Sequence, residues 1–150
     1  MSDQAPAGEF LVFRIQGQEF CLEIGAVREI RSATKAVPLP NAPVEFKGVI
    51  NLRGTVLPIV DMASRLGLAV VRAPTNPVII VAESGERLVG LEVDIVDDII
   101  SVRQAEIQSI PTIPTGGIQE FVCGIVNISN RLICLLAVDR LLPAEKAAAE

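Results

Sequence analysis

Apolar residues in this chain of 150 residues fall in short stretches, and Gly, Pro or Asn residues separate one stretch from the next. Short aliphatic stretches bounded by turn residues are typical of β-strands. Two such stretches flank Gly17, and two more flank Gly85, so the pattern predicts a β-hairpin at each glycine. The chain is therefore expected to adopt an all-β fold with a few short helices.

The order of strands and turns occurs twice along the chain. A further short strand follows each predicted hairpin, Val27–Ile30 in the first half and Val96–Ile99 in the second. Each half then continues with two more apolar strands. This self-similarity predicts an internal duplication, with repeats at about 9–67 and 77–142.

Each repeat offers about five short strands, too few to bury much apolar surface alone. Small closed β-barrels would remove the sheet edges that invite aggregation. The two barrels are then expected to pack on each other and to share a core of Val, Ile and Leu.

The predicted helices are short and lie near the ends of strands. Asp61 is expected to cap a helix at Met62–Leu66 that Gly67 ends. Asp139 is expected to cap a similar turn in the second repeat. Arg103–Ile107 is predicted to form a third helical turn, which ends before the following proline.

Composition narrows the class of function. Half of the residues are apolar but only 3% are aromatic, so the core must be largely aliphatic. The chain has no histidine, which removes the usual general base near neutral pH and the commonest metal ligand. A net charge of -5 argues against nucleic acid as a partner.

The cysteines and the longest apolar run indicate in which cellular compartment the protein is located. Cys21, Cys123 and Cys134 form no paired motif and have apolar neighbours, so we expect buried, reduced thiols. The run Leu132–Val138 is too short to span a bilayer, and the N-terminus lacks the features of a signal peptide. A cytoplasmic protein without direct membrane insertion is expected.

Few side chains in the sequence are suited to catalysis or to binding a metal or a cofactor. Asp94, Asp97 and Asp98 could in principle hold a divalent cation, but a solvated strand edge is the favoured interpretation. No nucleotide-binding, hydrolase or metalloprotease motif is present in the sequence. We expect no cofactor, no metal and no catalytic residue, and therefore no enzyme.

Arg53 lies in an Asn-Leu-Arg-Gly turn between two strongly apolar strands. Its side chain could lie over its own hairpin with the guanidinium in water. Alternatively, the turn could present the guanidinium to a carboxylate or carbonyl of a partner. The second repeat has Ile128-Ser129-Asn130-Arg131 at this place, and this difference leaves both interpretations open.

The segment Phe46-Lys-Gly-Val-Ile-Asn-Leu-Arg-Gly54, followed by Pro58-Ile-Val-Asp61, resembles the CheW family of bacterial chemotaxis coupling proteins. Glu9–Phe13, Val27–Ile30 and the second-half pattern Arg87-Leu-Val-Gly90 are similar to that family as well. The resemblance implies two pseudo-symmetric five-stranded SH3-like β-barrels around a shared hydrophobic core.

The resemblance also implies domain boundaries. Residues 1–8 are expected to form a disordered N-terminal tail, residues 9–143 a CheW-like domain, and residues 144–150 a short C-terminal helix or tail. No catalytic or receiver module accompanies this region, so the resemblance is to a free-standing coupling protein.

The implied function is a non-enzymatic scaffold that couples the cytoplasmic tip of methyl-accepting chemoreceptors to the regulatory domain of the histidine kinase CheA. Such a protein would be recruited to the inner face of the membrane through receptor arrays. In the family, a groove between the barrels binds the receptor's helical hairpin. The residues that match the groove positions are Arg53, Val27, Glu29, Val78, Val96 and Ile99.

Plain core packing competes with binding as the role of the groove's Val and Ile positions. Gly48 is expected to permit a tight strand entry, without contacting a partner. The resemblance identifies neither the kinase-binding residues nor the receptor served. A small ligand-sensing regulatory barrel is the alternative function, and it would require a cavity with convergent polar groups.

Overall fold

Short aliphatic stretches form two β-sheets in the computed structural model, which describes residues 8–110 and 117–142. The strands in chain order are β1 (Gly8–Ile15), β2 (Gln18–Glu23), β3 (Val27–Ser32), β4 (Phe46–Leu52), β5 (Thr55–Asp61), β6 (Val78–Ser84), β7 (Arg87–Val93), β8 (Ile95–Val102), β9 (Ile107–Gln108), β10 (Val122–Ile128) and β11 (Arg131–Leu136). Two short α-helices, α1 (Met62–Arg65) and α2 (Val138–Leu141), follow β5 and β11. Single 3₁₀ turns lie at Ile24–Ala26, Gln104–Glu106 and Gly117–Glu120.

Each sheet takes strands from both repeats. The first sheet has the order β8-β1-β2-β11-β10-β9, and the second has the order β3-β6-β7-β5-β4. The two orders are related by the duplication. When each strand of the second order is replaced by its counterpart in the other repeat (β3 by β8, β6 by β1, β7 by β2, β5 by β11 and β4 by β10), the result is β8-β1-β2-β11-β10, the first five strands of the first order. Neighbouring strands are antiparallel except β2 with β11 and β5 with β7, which are parallel and join the repeats. A repeat is therefore not the unit that forms a sheet.

The short sixth strand also has a counterpart. β9 pairs with the outer edge of β10, and Val37 makes an isolated antiparallel bridge with Val49 on the outer edge of β4. The all-β prediction with two related sheets and few helices is confirmed. Closure of each sheet into an SH3-like barrel stays a prediction.

The predicted shared core is present. The central hairpins are buried on both faces, which explains their continuous apolar runs. In β1, Leu11 and Phe13 enter a cluster that contains residues of both sheets, whereas Phe10 and Val12 enter a cluster confined to the first sheet. In β6, Ile80 enters the shared cluster, while its neighbours enter a cluster confined to the second sheet. Two local cores thus flank one shared core.

One predicted helix cap is confirmed and the other is wrong. The Asp61 carboxylate accepts a hydrogen bond from the Ser64 backbone N–H at 3.4 Å, and Gly67 has a φ of +75° after the helix. Asp139 does not cap α2, because it lies inside the helix and Ala137 holds the N-cap position. The Ala137 backbone N–H is bonded to the carbonyl of Phe121 at 2.9 Å, so this residue is the last extended position.

The third predicted turn is shorter than expected. Gln104–Glu106 forms a single 3₁₀ turn, in which the Glu106 carboxylate accepts from the Arg103 backbone N–H at 2.7 Å. The predicted end of this turn at Pro111, the N-terminal tail and the C-terminal segment from Pro143 lie outside the described residues, apart from Gly8 at the end of that tail.

The three thiols differ in burial. Cys21 is buried, as predicted, and Cys134 is partly buried, but Cys123 is exposed and the prediction for it is wrong. Cys123 is the extra residue of a β-bulge, since Val122 and Gly124 pair with the consecutive residues Leu136 and Leu135. In the described part of the chain, no helix is long and apolar enough to cross a bilayer.

Candidate binding site at the edge strands

Strands β3 and β8 are counterparts in the two repeats, and each is the first strand of its sheet. Within residues 8–110 and 117–142, no further strand pairs with the outer side of either one. Unpaired strand edges are natural places for another chain to bind. The two strands also carry exposed aliphatic side chains, Ile30 and Ile99, at equivalent positions.

A β-bulge in β8 determines which side chains face the shared core. Asp98 pairs with Val12 and Val96 pairs with Phe13, so Asp97 is the extra residue between them. Directly paired residues point to the same face of a sheet. Val96 opposite Phe13 and Ile99 opposite Leu11 therefore both face the shared core, to which Leu11 and Phe13 belong.

The equivalent bulge in β3 has the same effect. Val27 pairs with Ala82 and Glu29 pairs with Val81, which makes Arg28 the extra residue. Ile30 pairs with Ile80, and both Ala82 and Ile80 belong to the shared core. Val27 and Ile30 consequently face the shared core, as their counterparts in β8 do.

These four residues form what we call the edge-strand site: Val27, Ile30, Val96 and Ile99. Val27 and Val96 pack against the shared core, whereas Ile30 and Ile99 are 44% and 51% exposed. The predicted groove residue Val78 also packs against the shared core. Four predicted aliphatic positions are thus placed around one core, and core packing explains the three valines as well as binding does.

Ile30 was missed by the sequence analysis. The likeness of Val27-Arg-Glu-Ile30 to Val96-Asp-Asp-Ile99 was the signal that could have identified it as the partner position of Ile99. The bulges were not visible in the sequence, and without them residues three apart would lie on opposite faces of a strand.

Glu29 lies on the other face of β3 and contacts Arg53. Arg53 and Gly54 form a two-residue hairpin loop, both with positive φ (+50° and +88°), which is typical of a type I′ turn. The Asn51 side-chain oxygen accepts a hydrogen bond from the Gly54 backbone N–H at 2.8 Å and supports the loop. The Arg53 guanidinium forms an ion pair with Glu29, and its side chain is 70% exposed.

This ion pair joins the first strand of the second sheet to the loop between its last two strands. In a flat sheet, β3 and β5 would lie about 14 Å apart, since neighbouring strands are spaced by roughly 4.8 Å. In a flat sheet both long side chains would have to extend almost fully to meet, and a curl of the sheet would shorten this distance.

The ion pair changes the acidity of both groups. The hydrogen bond from Arg53 lowers the pKa of the Glu29 carboxyl, and the positive charges of Arg53 and Arg31 act in the same direction. The same hydrogen bond raises the pKa of Arg53. Glu29 thus remains a carboxylate that holds one side of the guanidinium.

Each of the two edge-strand bulges carries an ion pair, and the two pairs have opposite polarity. In the second sheet, Arg28 of β3 pairs with Glu83 of β6. In the first sheet, Asp97 of β8 accepts two hydrogen bonds from Arg14 of β1, at 2.8 and 3.1 Å. The bulged position is therefore basic in one edge strand and acidic in the other.

Two of the acidic residues considered as cation ligands, Asp94 and Asp97, are engaged by groups of the chain itself. Asp94 accepts hydrogen bonds from the backbone and side chain of Gln16, at 2.8 and 3.4 Å, while Asp97 is engaged by Arg14. Among the described residues, no group of three metal-ligating side chains comes together.

Gln16 also fastens the connector between the repeats, residues 68–77. Its side-chain oxygen accepts from the backbone N–H groups of Val71 and Arg72, at 2.9 and 3.3 Å. Its amide nitrogen donates to the Arg72 carbonyl at 2.9 Å. A depression of about 510 Å³ lies beside this contact, and another of about 490 Å³ lies beside Cys123.

Comparison with known proteins identifies a family. The family model described as "CheW-like domain" matches residues 9–146. The chain is 47% identical over 138 residues to a chemotaxis protein CheW of Rhizobium meliloti, covering 92% of this chain and 89% of that protein. It is 33% identical over 140 residues to a chemotaxis protein CheW of Klebsiella aerogenes, covering 93% and 84%.

A solved structure shows the same fold. The crystal structure of the scaffolding protein TtCheW from Thermoanaerobacter tengcongensis matches with a TM-score of 0.81 and 26% identity. The match covers 88% of this chain and 90% of that one. The resemblance noted in the sequence is thereby confirmed.

Proposed function

Because the chain belongs to the CheW-like domain family, we propose that it is a chemotaxis scaffold that couples methyl-accepting chemoreceptors to the histidine kinase CheA. Relatives at 47% and 33% identity are named chemotaxis protein CheW, and the similar solved structure is titled a scaffolding protein. The scaffold acts by binding, without catalysis, and it joins receptor arrays at the inner face of the membrane.

The observation that best supports this proposal is the pair of exposed isoleucines on two free strand edges. Ile30 and Ile99 face the shared core but remain about half exposed, so they offer apolar surface that residues 8–110 and 117–142 leave uncovered. The apolar face of an amphipathic helical hairpin is the kind of surface that covers such residues. We assign the edge-strand site, with Val78 beside it, to the cytoplasmic tip of the receptor.

Arg53 supplies the polar anchor of this site in the proposal. The type I′ turn raises its side chain above two rigid strands, and Glu29 fixes one side of the guanidinium. A guanidinium has five N–H donors, so a single carboxylate leaves donors for a partner's carboxylate or carbonyl. Glu29 contributes by orienting Arg53.

The alternative of a ligand-sensing barrel receives no specific support. A small-molecule site needs convergent polar groups within an apolar cavity. Among the described residues, the buried set contains no polar or charged side chain. A rise in melting temperature with a defined metabolite would favour this alternative, because a ligand of the native state stabilises it by mass action.

The first experiment measures binding of the purified full chain to two partners separately. One is the regulatory domain of CheA, and the other is a cytoplasmic fragment of a chemoreceptor. Binding to both supports the coupling role, and binding to neither contradicts it. The kinase-binding residues would then follow from chemical-shift changes on adding the kinase domain.

The second experiment compares two exposed arginines. Arg53→Ala is expected to weaken receptor binding by about tenfold or more, since a charge-assisted hydrogen bond to the partner would be lost. Arg103→Ala removes a similarly exposed arginine that pairs with Glu106 elsewhere, and we expect it to bind normally. Both variants should melt like the parent chain, because exposed ion pairs contribute little to stability. Unfolding of the Arg53 variant would show a structural role and contradict the assignment.

A further inference from the structure

The helices α1 and α2 hold equivalent positions in the two repeats, but they are fastened differently at their N-terminal ends. Each has four residues and follows directly after its cap, which is Asp61 in α1 and Ala137 in α2. The Asp61 carboxylate caps α1, whereas Ala137 has no side chain that could accept a hydrogen bond. A helix of one turn has little stability of its own, so its contacts determine whether it stays in place.

The C-terminal ends of the two helices also differ. In α1, the Ser64 carbonyl accepts a hydrogen bond from the Gly67 backbone N–H at 3.1 Å. Counted from the two caps, Arg140 is the counterpart of Ser64. Pro143 is the counterpart of Gly67, and a proline has no backbone N–H to donate. The last carbonyls of α2 therefore need another donor.

Arg65, the last residue of α1, supplies this donor from the other repeat. One terminal nitrogen of its guanidinium lies 3.3 Å from the Arg140 carbonyl oxygen and 3.5 Å from that of Leu142. The other terminal nitrogen donates to the Glu45 carboxylate at 3.1 Å. The central carbon of the guanidinium lies 4.9 Å from the centre of the Phe121 ring, in a cation–π contact. Only 20% of the Arg65 side chain is exposed, so water competes with these contacts only in part.

α2 covers part of the shared core. Leu141 and Leu142 are buried and belong to the cluster that contains residues of both sheets, and Val138 packs against it. The helix follows β11 of the first sheet and contacts β6 of the second. Within residues 8–110 and 117–142, no strand follows α2, whereas the connector follows α1 and its Leu68 backbone N–H donates to the Ala63 carbonyl at 2.8 Å. Displacing α2 would uncover apolar surface of both sheets without breaking a pairing between strands.

We propose that α2 is a movable cover of the shared core and that Arg65 holds it closed. When Arg65 releases the two carbonyls, α2 leaves the core as a unit while the two sheets remain folded. Short elements with few fastening contacts open at a lower free energy than central strands do. Arg65 thus acts by positioning α2. The inference concerns the chain alone and does not depend on the proposed function.

The test measures amide hydrogen exchange of the purified full chain by NMR, under conditions in which each rate reports an opening equilibrium. The amides of Ala137 and Arg140 report α2, because they donate to the carbonyls of Phe121 and Ala137. The amides of Leu66 and Leu68 report α1 in the same way. The amides paired between β1 and β2 report global unfolding. In the parent chain, the α2 amides should be at least about tenfold less protected than those of α1 and of the strands.

Two variants of Arg65 test what holds the cover. Arg65→Ala should lower the protection of the α2 amides by a further factor of about ten, because charge-assisted hydrogen bonds are lost. Arg65→Lys keeps the positive charge beside Glu45 but has one nitrogen in place of two. It is expected to fold in any case and to show a smaller loss in the same amides. Arg140→Ala is the matched control, since it removes an exposed side chain of α2 and keeps the carbonyl that Arg65 engages, and it should exchange like the parent.

The outcomes decide each part of the proposal. Protection of the α2 amides equal to that of α1 or of the paired strands in the parent chain would overturn it, because α2 would then not open separately. Unchanged protection of the α2 amides in both Arg65 variants would also overturn it, even if the strands lost protection, because the contacts of Arg65 would then persist when α2 opens. Low protection in the parent chain that falls further in the Arg65 variants, and not in Arg140→Ala, supports it.

Discussion

Gly48 lies where the Val37 segment crosses the outer edge of β4, and replacing it with alanine should strongly destabilise the fold. A Cβ on Gly48 would lie 2.1 Å from the Val37 carbonyl oxygen and 2.5 Å from its carbon. Ordinary van der Waals contact begins near 3.4 Å. These atoms belong to the backbone, so they cannot move aside by a rotation of a side chain.

The cost has two parts. Gly48 has a φ of +139°, a region open almost only to glycine, and forcing alanine into it costs about 1–3 kcal/mol. Moving Val37 away also breaks its two backbone hydrogen bonds with Val49, at 2.8 and 2.9 Å. Each bond contributes roughly 1 kcal/mol net. We expect a total loss of about 3–5 kcal/mol in the free energy of unfolding.

Two other glycines separate these contributions. Gly85→Ala introduces alanine at a φ of +63° with no atom within 4 Å, and it should cost only about 1–2 kcal/mol. Gly25 is not at positive φ and also has open space, so Gly25→Ala should change stability by less than about 0.5 kcal/mol. Urea unfolding followed by far-UV circular dichroism suits a chain without Trp or Tyr. If Gly48→Ala cost no more than Gly85→Ala, the steric argument would be refuted.

Three further predictions follow from other contacts. The Glu29 pKa, lowered by Arg53, should return toward its usual value in Arg53→Ala when followed by carboxyl NMR, and no change would contradict the ion pair. Since the folded pKa is lowered, the stabilisation is present above the unfolded pKa and is lost as pH falls through the folded one. Iodoacetamide at pH 8 should label the exposed Cys123 in the native protein. Cys21 should be labelled only after unfolding, because it is buried and burial raises its pKa to about 12. Peptide mapping that found both cysteines labelled in the native protein would refute this prediction. Gln16→Ala should speed amide hydrogen exchange in the connector with little change elsewhere. Unchanged exchange would show that the hydrogen bonds of Gln16 do not hold the connector in place.

Local features of the fold were predictable from short stretches of residues. The hairpin around Gly17, the duplicated strand order and the cap at Asp61 depend on neighbours within a few positions, and the structure contains each of them. Gly85 marks the second hairpin, although it occupies the first position of its loop and Gly17 the second. The prediction for Asp139 was wrong because one backbone hydrogen bond, from Ala137 to Phe121, displaces the cap by two residues.

Long-range features could not be derived in this way. An apolar run shows that a strand is buried on both faces, but it does not tell which strand lies beside it. The pairings that join the two repeats therefore had no local signal, whether parallel (β2 with β11, β5 with β7) or antiparallel (β1 with β8, β3 with β6). The bulges at Arg28, Asp97 and Cys123 likewise arise from pairing with another strand. The exposure of Cys123 and the orientation of Ile30 toward the shared core were therefore not predictable.

The duplicated positions differ in how strongly the fold constrains them, and this difference explains why the edge-strand site combines similar apolar residues with opposite charges. Val27 and Val96 are partly buried against the shared core, where full burial of a side chain of this size contributes about 1.5–3 kcal/mol, so both positions favour an aliphatic residue. The exposed ion pairs of Arg28 and Asp97 contribute little to stability, and either polarity gives the same contribution. Physical constraint therefore fixes the apolar residues in both repeats and leaves the sign of the paired charges free to differ between them. For the same reason, inverting either ion pair should leave the free energy of unfolding nearly unchanged.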